Sequence, residues 1–168
     1  SSDVCSSDLV VALAAGNNLE KLAQQARKFQ PKLISIADPQ KIPQLRELVG
    51  ELPCQILAGE EGLRAVATHS LAQLVLSSLV GIAGLPPTLQ ALEAGKDVAL
   101  ANKESLVAGG QLALEAKKRG GGRLLPVDSE HSAIFQCLDG RECEVEKLIL
   151  TASGGPFREA TVKDLETI

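Results

Sequence analysis

The segment VVALAAGNNLEKLAQQARKFQPKLISIA, residues 10–37, decides the fold. Its first five residues, Val10 to Ala14, form an apolar run that stops at Gly16, as a buried strand does. Asn18 then opens a helical pattern: Leu19, Leu22, Ala23, Ala26 and Phe29 recur with a 3.6-residue period, and Pro31 ends it. Leu33–Ala37 is a second apolar run. A strand, a helix of about ten residues and another strand make a crossover unit, which joins parallel neighbours.

The alternation continues. Asp38-Pro39 starts a helix carrying Ile42, Leu45 and Leu48; Gln55–Leu57 is a short strand, Glu60–Thr68 a short helix and Leu74–Val80 an apolar run. Pro86-Pro87 opens a helix that runs to Ala94 and stops at Gly95. Asp97–Ala101 is a strand, and Ser105–Arg119 a longer helix with Lys117, Lys118 and Arg119 at its negative end. The strands read as continuous apolar runs, the pattern of an α/β parallel sheet covered by helices on both faces. After Leu124-Leu125-Pro126 the texture changes to a polar cluster, an apolar segment Ala133–Leu138, a strand over Leu148–Ala152 and a helix starting near Thr161. These changes divide the chain into residues 1–9, a tail of non-native appearance; residues 10–126, the parallel-sheet domain; and residues 127–168, the start of a second, α+β domain.

Composition excludes several roles. The 168 residues carry a net charge of −4 and 2% aromatic residues, so neither a basic surface nor stacking platforms point to nucleic acid. Hydrophobic residues are 45% against 23% charged, the balance of a packed domain. The apolar stretch Leu71–Leu85 is interrupted by Gln73, Ser77, Ser78, Gly81 and Gly84, short of the ~20 apolar residues of a membrane span. No signal-peptide pattern opens the chain, and Cys5, Cys54, Cys137 and Cys143 form no CxxC pair. They read as reduced, mostly buried thiols of a cytoplasmic protein.

Four clusters fall after strands, where open parallel sheets bind ligands. Gly16-Asn17-Asn18 lies at the turn that meets an adenosine ribose in nucleotide-binding sheets; with no carboxylate before Glu20 and with Lys21 near, it suits a 2′-phosphate, though Asn18 also reads as an N-cap. Asn102-Lys103-Glu104-Ser105 offers a lysine to bind phosphate or polarise an oxygen, or else simply begins a helix. Asp128-Ser129-Glu130 places two carboxylates around a hydroxyl: oxygen ligands for Mg²⁺ or Mn²⁺, or a capped helix start with His131 as a structural residue. Ser153-Gly154-Gly155 is an anion nest or a plain turn. No G-x-G-x-x-G, P-loop or G-x-S-x-G motif is present.

Taken in order, these segments resemble the 1-deoxy-D-xylulose 5-phosphate reductoisomerase family. Leu100-Ala101-Asn102-Lys103-Glu104-Ser105-Leu106, the run from Leu125 to Gln136 (LPVDSEHSAIFQ) and the run from Leu150 to Arg158 (LTASGGPFR) carry the resemblance, with Ala14–Asn18 and Val80–Leu85 fitting it. It extends from about Val10 to Ile168 and leans toward the cyanobacterial and plastid branch. It implies a Rossmann-like domain followed by a metal-binding catalytic domain, in an enzyme of non-mevalonate isoprenoid synthesis. That enzyme rearranges a ketose phosphate and reduces it with NADPH to 2-C-methyl-D-erythritol 4-phosphate.

By the family pattern, Gly16, Asn17, Asn18, Asn102 and Glu104 contact NADPH. Lys103, Ser129, Glu130 and Ser153 contact substrate, and Asp128 and Glu130 bind the metal, so that Lys103, Asp128 and Glu130 form the catalytic set. The parent is expected to be a homodimer in the bacterial cytoplasm, or in the plastid stroma of a plant or alga. The family's first strand, its pyrophosphate loop and its third metal carboxylate have no counterpart in these residues. The expectation is therefore an internal, inactive fragment whose sheet exposes an apolar edge. Two other readings stand beside it: another NADP-linked oxidoreductase, and a non-enzymatic nucleotide-binding module, against which the Asp128/Glu130 pair argues.

Overall fold

The structure is a computed structural model that describes residues 9–138, 140, 142–149 and 159–165. Its described residues divide into two compact units, Ser1–Asp128 and Ser129–Ile168.

In the first unit the strands β1 (Ala12–Ala15), β2 (Leu33–Ile36) and β3 (Gln55–Ala58) form a parallel sheet in that order. All four side chains of the central strand β2 are buried, as expected of a strand covered on both faces. The helices α1 (Leu19–Phe29), α2 (Ile42–Val49) and α3 (Gly59–Ala67) follow the three strands in turn. Helix α1 forms where the periodicity places it. Asn18 caps it by accepting from the backbone N–H of Lys21 at 2.9 Å. Leu19, Leu22, Ala23 and Ala26 are buried, whereas Phe29 stays 39% exposed at the helix end. These four residues meet Ile34, Ile36, Leu45 and Val49 in one core cluster. Each fully buried Leu or Ile contributes roughly 1.5–3 kcal/mol.

A second parallel sheet holds β4 (Leu74–Ser77), β5 (Asp97–Leu100) and β6 (Leu124–Pro126). Helix α4 (Leu85–Glu93) precedes β5, and α5 (Lys103–Gly120) precedes β6. Ala91, Leu92, Val98, Leu100, Ala113 and Ala116 make the core here. Small residues let α4 and α5 approach closely: a Cβ on Gly109 would meet the Leu85 methyls at 2.7 Å, and one on Gly120 would run into the Leu92 carbonyl. Gly109 also breaks the regularity of α5, with φ −138° and ψ 28°. Lys96 is buried, its ammonium donating to the carbonyls of His69 at 2.7 Å and Ala72 at 2.6 Å, so the turn before β4 is pinned to the start of β5. At that same start, two hydrogen bonds from the Arg123 guanidinium hold the Asp97 carboxyl below the usual carboxylate range.

The structure departs from the sequence reading in several places. The parallel sheet is present as two three-stranded sheets, because β1 and β4 each have one hydrogen-bonded neighbour among the described residues. Strand β4 is shorter than the run Leu74–Val80, since the chain leaves the ladder after Ser77. Its Leu74 and Leu76, which share one face of the strand, are 55% and 64% exposed. Helix α5 begins two residues before Ser105 because Asn102, not a later residue, is its cap. The thiols are not mostly buried: Cys54 is partly buried, and Cys137 and Cys143 are exposed, Cys137 on the helix Ser129–Leu138, which has no buried residue. Burial pushes the Cys54 thiol up. Cys5 lies outside the described residues.

The second unit contains α6 (Ser129–Leu138), a 3₁₀ turn at Glu142–Glu144 and α7 (Val162–Leu165). Helix α7 starts where the sequence places it, with the Thr161 N–H and hydroxyl both donating to Asp164. Of the strand expected over Leu148–Ala152, Leu148 and Ile149 are in irregular chain and 150–152 lie outside the described residues. Among the described residues, no helix is long and apolar enough to cross a membrane.

Gly62 tests how tightly α3 packs on β2 and β3. An added Cβ would collide with Ser35 Oγ and approach Leu57 Cβ to 3.0 Å, whereas Gly16 has nothing within 4 Å. Gly62→Ala is expected to cost about 1–3 kcal/mol, read as a lower urea midpoint, and Gly16→Ala to move that midpoint little.

Candidate functional site

The pairing of β1 with β2 aligns Ala15 with Ile36, so the turn after β1 lies beside the end of β2. The Ala37 N–H donates to the carbonyls of both Ala15 and Gly16, each at 3.2 Å, which ties the two strand ends together. Gly16, Asn17 and Asn18 are exposed at this corner. Asn18 acts as the helix cap, one of the two roles its position allowed. The open space around Gly16 leaves its backbone accessible. Asp38, the first carboxylate after β2, accepts from the N–H of Gln40 at 2.9 Å and is thereby turned onto its own 3₁₀ turn, Pro39–Lys41.

A second corner follows β5. The Asn102 side chain is buried, and its amide donates to the carbonyls of Leu79 and, at 2.8 Å, Gly81. Its oxygen accepts from the N–H and the hydroxyl of Ser105, both at 2.8 Å. An asparagine side chain has two donors and two acceptor positions, and all four are used. The Asn102 side chain thereby holds the 79–84 loop to the start of α5. Gly84 permits that contact, since a Cβ there would lie 3.0 Å from Asn102 Nδ2 and 3.2 Å from Ser105 Oγ. Lys103 and Glu104 stand exposed in the first turn of α5. Glu104 suits the positive end of a helix, while Lys103 opposes it and strengthens the pull of that end on an anion.

The third cluster sits where β6 gives way to α6. Asp128 follows the strand, partly buried, and Ser129 and Glu130 open the helix. Ser129 donates to Glu130 Oε2 at 2.8 Å. Two carboxylates and a hydroxyl fit a hard divalent cation in donor chemistry but fill only part of its usual six or more positions. No group of three or more His, Cys, Asp or Glu able to hold a metal occurs among the described residues. His131 follows Glu130 on α6. Ser153, the fourth expected position, lies outside the described residues. The open groove lined by Glu61, Arg64, Ala65, Thr68, Gln90 and Glu93 contains none of the residues singled out in the sequence.

The sequence reading missed Lys41, whose ammonium lies 3.5 Å from Asn17 Oδ1. Nothing local signals it, because 24 residues separate the two and only the parallel register of β1 and β2 brings them together.

The Asn102 network has a measurable consequence. Asn102→Asp keeps the acceptor that caps α5 but loses the amide donors to Leu79 and Gly81 and sets a charge beside their carbonyls. A loss of about 1–3 kcal/mol is expected, with faster amide hydrogen exchange confined first to residues 79–84.

Comparison with known proteins gives consistent results. The family model described as 1-deoxy-D-xylulose 5-phosphate reductoisomerase matches residues 5–110, and that of the C-terminal domain of the same family matches residues 124–168. A curated reductoisomerase of Thermosynechococcus vestitus is 53% identical over 162 residues, covering 95% of this chain and 39% of its own length. One from Bacillus anthracis is 51% identical over 160 residues, covering 95% and 41%. The solved structure of the Zymomonas mobilis reductoisomerase with NADPH superposes with a TM-score of 0.84 at 42% identity, over 95% of this chain and 42% of that one. A second reductoisomerase structure, with NADPH, fosmidomycin and magnesium, gives 0.81 at 38% identity. The chain spans about two-fifths of the length of the relatives it matches.

Proposed function

Because the chain belongs to the 1-deoxy-D-xylulose 5-phosphate reductoisomerase family, we propose that it forms part of an enzyme converting 1-deoxy-D-xylulose 5-phosphate into 2-C-methyl-D-erythritol 4-phosphate. The observation that carries this reading is the ordered match of both family models along one chain. When bound, NADPH supplies the hydride and a divalent cation supplies Lewis acidity at the substrate oxygens.

The chain's own residues bind and orient. Gly16, Asn17 and Asn18 receive the adenosine end of NADPH: the glycine leaves room, and no carboxylate repels a 2′-phosphate there. Asn102 and Glu104 contact the cofactor and Lys103 the substrate, and the Asn102 side chain also fixes the 79–84 loop and the first turn of α5. Asp128 and Glu130 hold the cation, the oxygen donors a hard ion prefers. Ser129, Ser153 and Lys103 hold the substrate, Lys103 adding positive charge where negative charge develops. Residues 10–126 serve as the NADPH-binding domain and residues 127–168 as the beginning of the catalytic domain. The parent enzyme is a homodimer of the cytoplasm or the plastid stroma.

The experiment is a comparison of wild type and Asp128→Asn in an enzyme of the relatives' full length that carries this segment. The variant is expected to lose at least about a hundredfold in kcat with Mg²⁺ or Mn²⁺, the scale of a lost metal ligand. Its NADPH dissociation constant, read by nicotinamide fluorescence, is expected to stay within about twofold, because the cofactor corners lie on other elements. Wild-type turnover at limiting Mg²⁺ in the variant would rule out the assignment.

A further inference from the structure

A cation reaches the turn after β1 from the 3₁₀ turn that follows β2. Lys21 is in the first turn of α1, where its backbone N–H is spent on the Asn18 cap. Lys41 comes from the 3₁₀ turn after β2, and its Nζ is 3.5 Å from Asn17 Oδ1. That is a long contact for a hydrogen bond, but it sets an ammonium over the Asn17 amide. The base of Lys41 is well fixed. Its N–H donates to the Asp38 carbonyl at 3.1 Å, the Asp38 carboxylate caps the same turn, and Ala37 ties that turn to Ala15 and Gly16. Lys41 is partly buried and forms no ion pair among the described residues. Its charge is thus directed at the exposed Asn17 amide, in a turn, Gly16–Asn18, that holds no carboxylate.

On the reading that this corner receives a dinucleotide, we propose that Lys41 is the specificity-determining residue that binds the 2′-phosphate of NADPH, assisted by Asn17. A monoester phosphate carries close to two negative charges at neutral pH and accepts several hydrogen bonds. An ammonium whose base is anchored gives that phosphate a charge-assisted partner that a free 2′-hydroxyl cannot use equally. The lysine lies in sequence on the following crossover unit, so specificity depends on the register between β1 and β2 and not on the loop alone.

Titration of an enzyme of the relatives' full length that carries this segment with adenosine 2′,5′-bisphosphate and with adenosine 5′-monophosphate, followed by amide NMR shifts at Gly16–Asn18, tests this. The wild type is expected to bind the bisphosphate at least about tenfold tighter, as one charge-assisted contact allows. Lys41→Ala should reduce that preference to about twofold or less with the monophosphate affinity unchanged, and Lys41→Arg should retain most of it. Lys21→Ala should leave the preference as in the wild type. If Lys41→Ala keeps the full preference, or Lys21→Ala abolishes it, Lys41 is not the discriminating residue, while the dinucleotide corner stands. If the wild type binds both nucleotides equally, the proposal fails on specificity. Saturable binding of neither would remove both the proposal and the cofactor assignment beneath it.

Discussion

Parallel pairing is the constraint from which the arrangement follows. Two parallel strands cannot be joined by a tight turn, so a helix must cross between them, and the carboxyl ends of neighbouring strands come to lie together. In this chain that geometry places the end of β1 beside the end of β2, with Ala15 opposite Ile36, and the end of β5 beside that of β4, with Leu100 opposite Ser77. The residues with chemistry are the ones just past those ends. Gly16, Asn17 and Asn18 follow β1, Lys41 follows β2 by one 3₁₀ turn, and Asn102, Lys103 and Glu104 follow β5.

The corners are held by different means. At the first, backbone does the work: one N–H, that of Ala37, bridges two carbonyls of the neighbouring strand end. At the second, a single buried side chain does it. Asn102 satisfies two loop carbonyls and caps a helix, and no buried side-chain nitrogen or oxygen is left without a partner among the described residues. A buried amide of this kind is stabilising only while all its partners are present, because each one lost leaves a desolvated polar group behind. The glycines at 84, 109 and 120 serve the same end by letting backbone and side chains approach within distances that any Cβ would obstruct.

The first compact unit of the chain holds two sheets. Its hydrogen-bonded sheets are separate and three-stranded, and Leu74 and Leu76 of β4 are more than half exposed. The chain spans about two-fifths of the length of its relatives.

Much of this was legible in the residues. The period of Leu19, Leu22, Ala23 and Ala26 identified α1 and its buried face, because a helix repeats every 3.6 residues whatever surrounds it. Apolar runs, prolines and glycines located five of the six strands to within a few residues, and the order of local motifs identified the family. Three things were decided only by tertiary structure. The role of Asn102 depends on Leu79 and Gly81, more than twenty residues away, whose carbonyls exhaust its donors. The split of the sheet depends on which strands reach one another's backbone groups, and an apolar run does not encode its neighbour. The approach of Lys41 to Asn17 depends on the register of two strands, a long-range property that no window of local sequence contains.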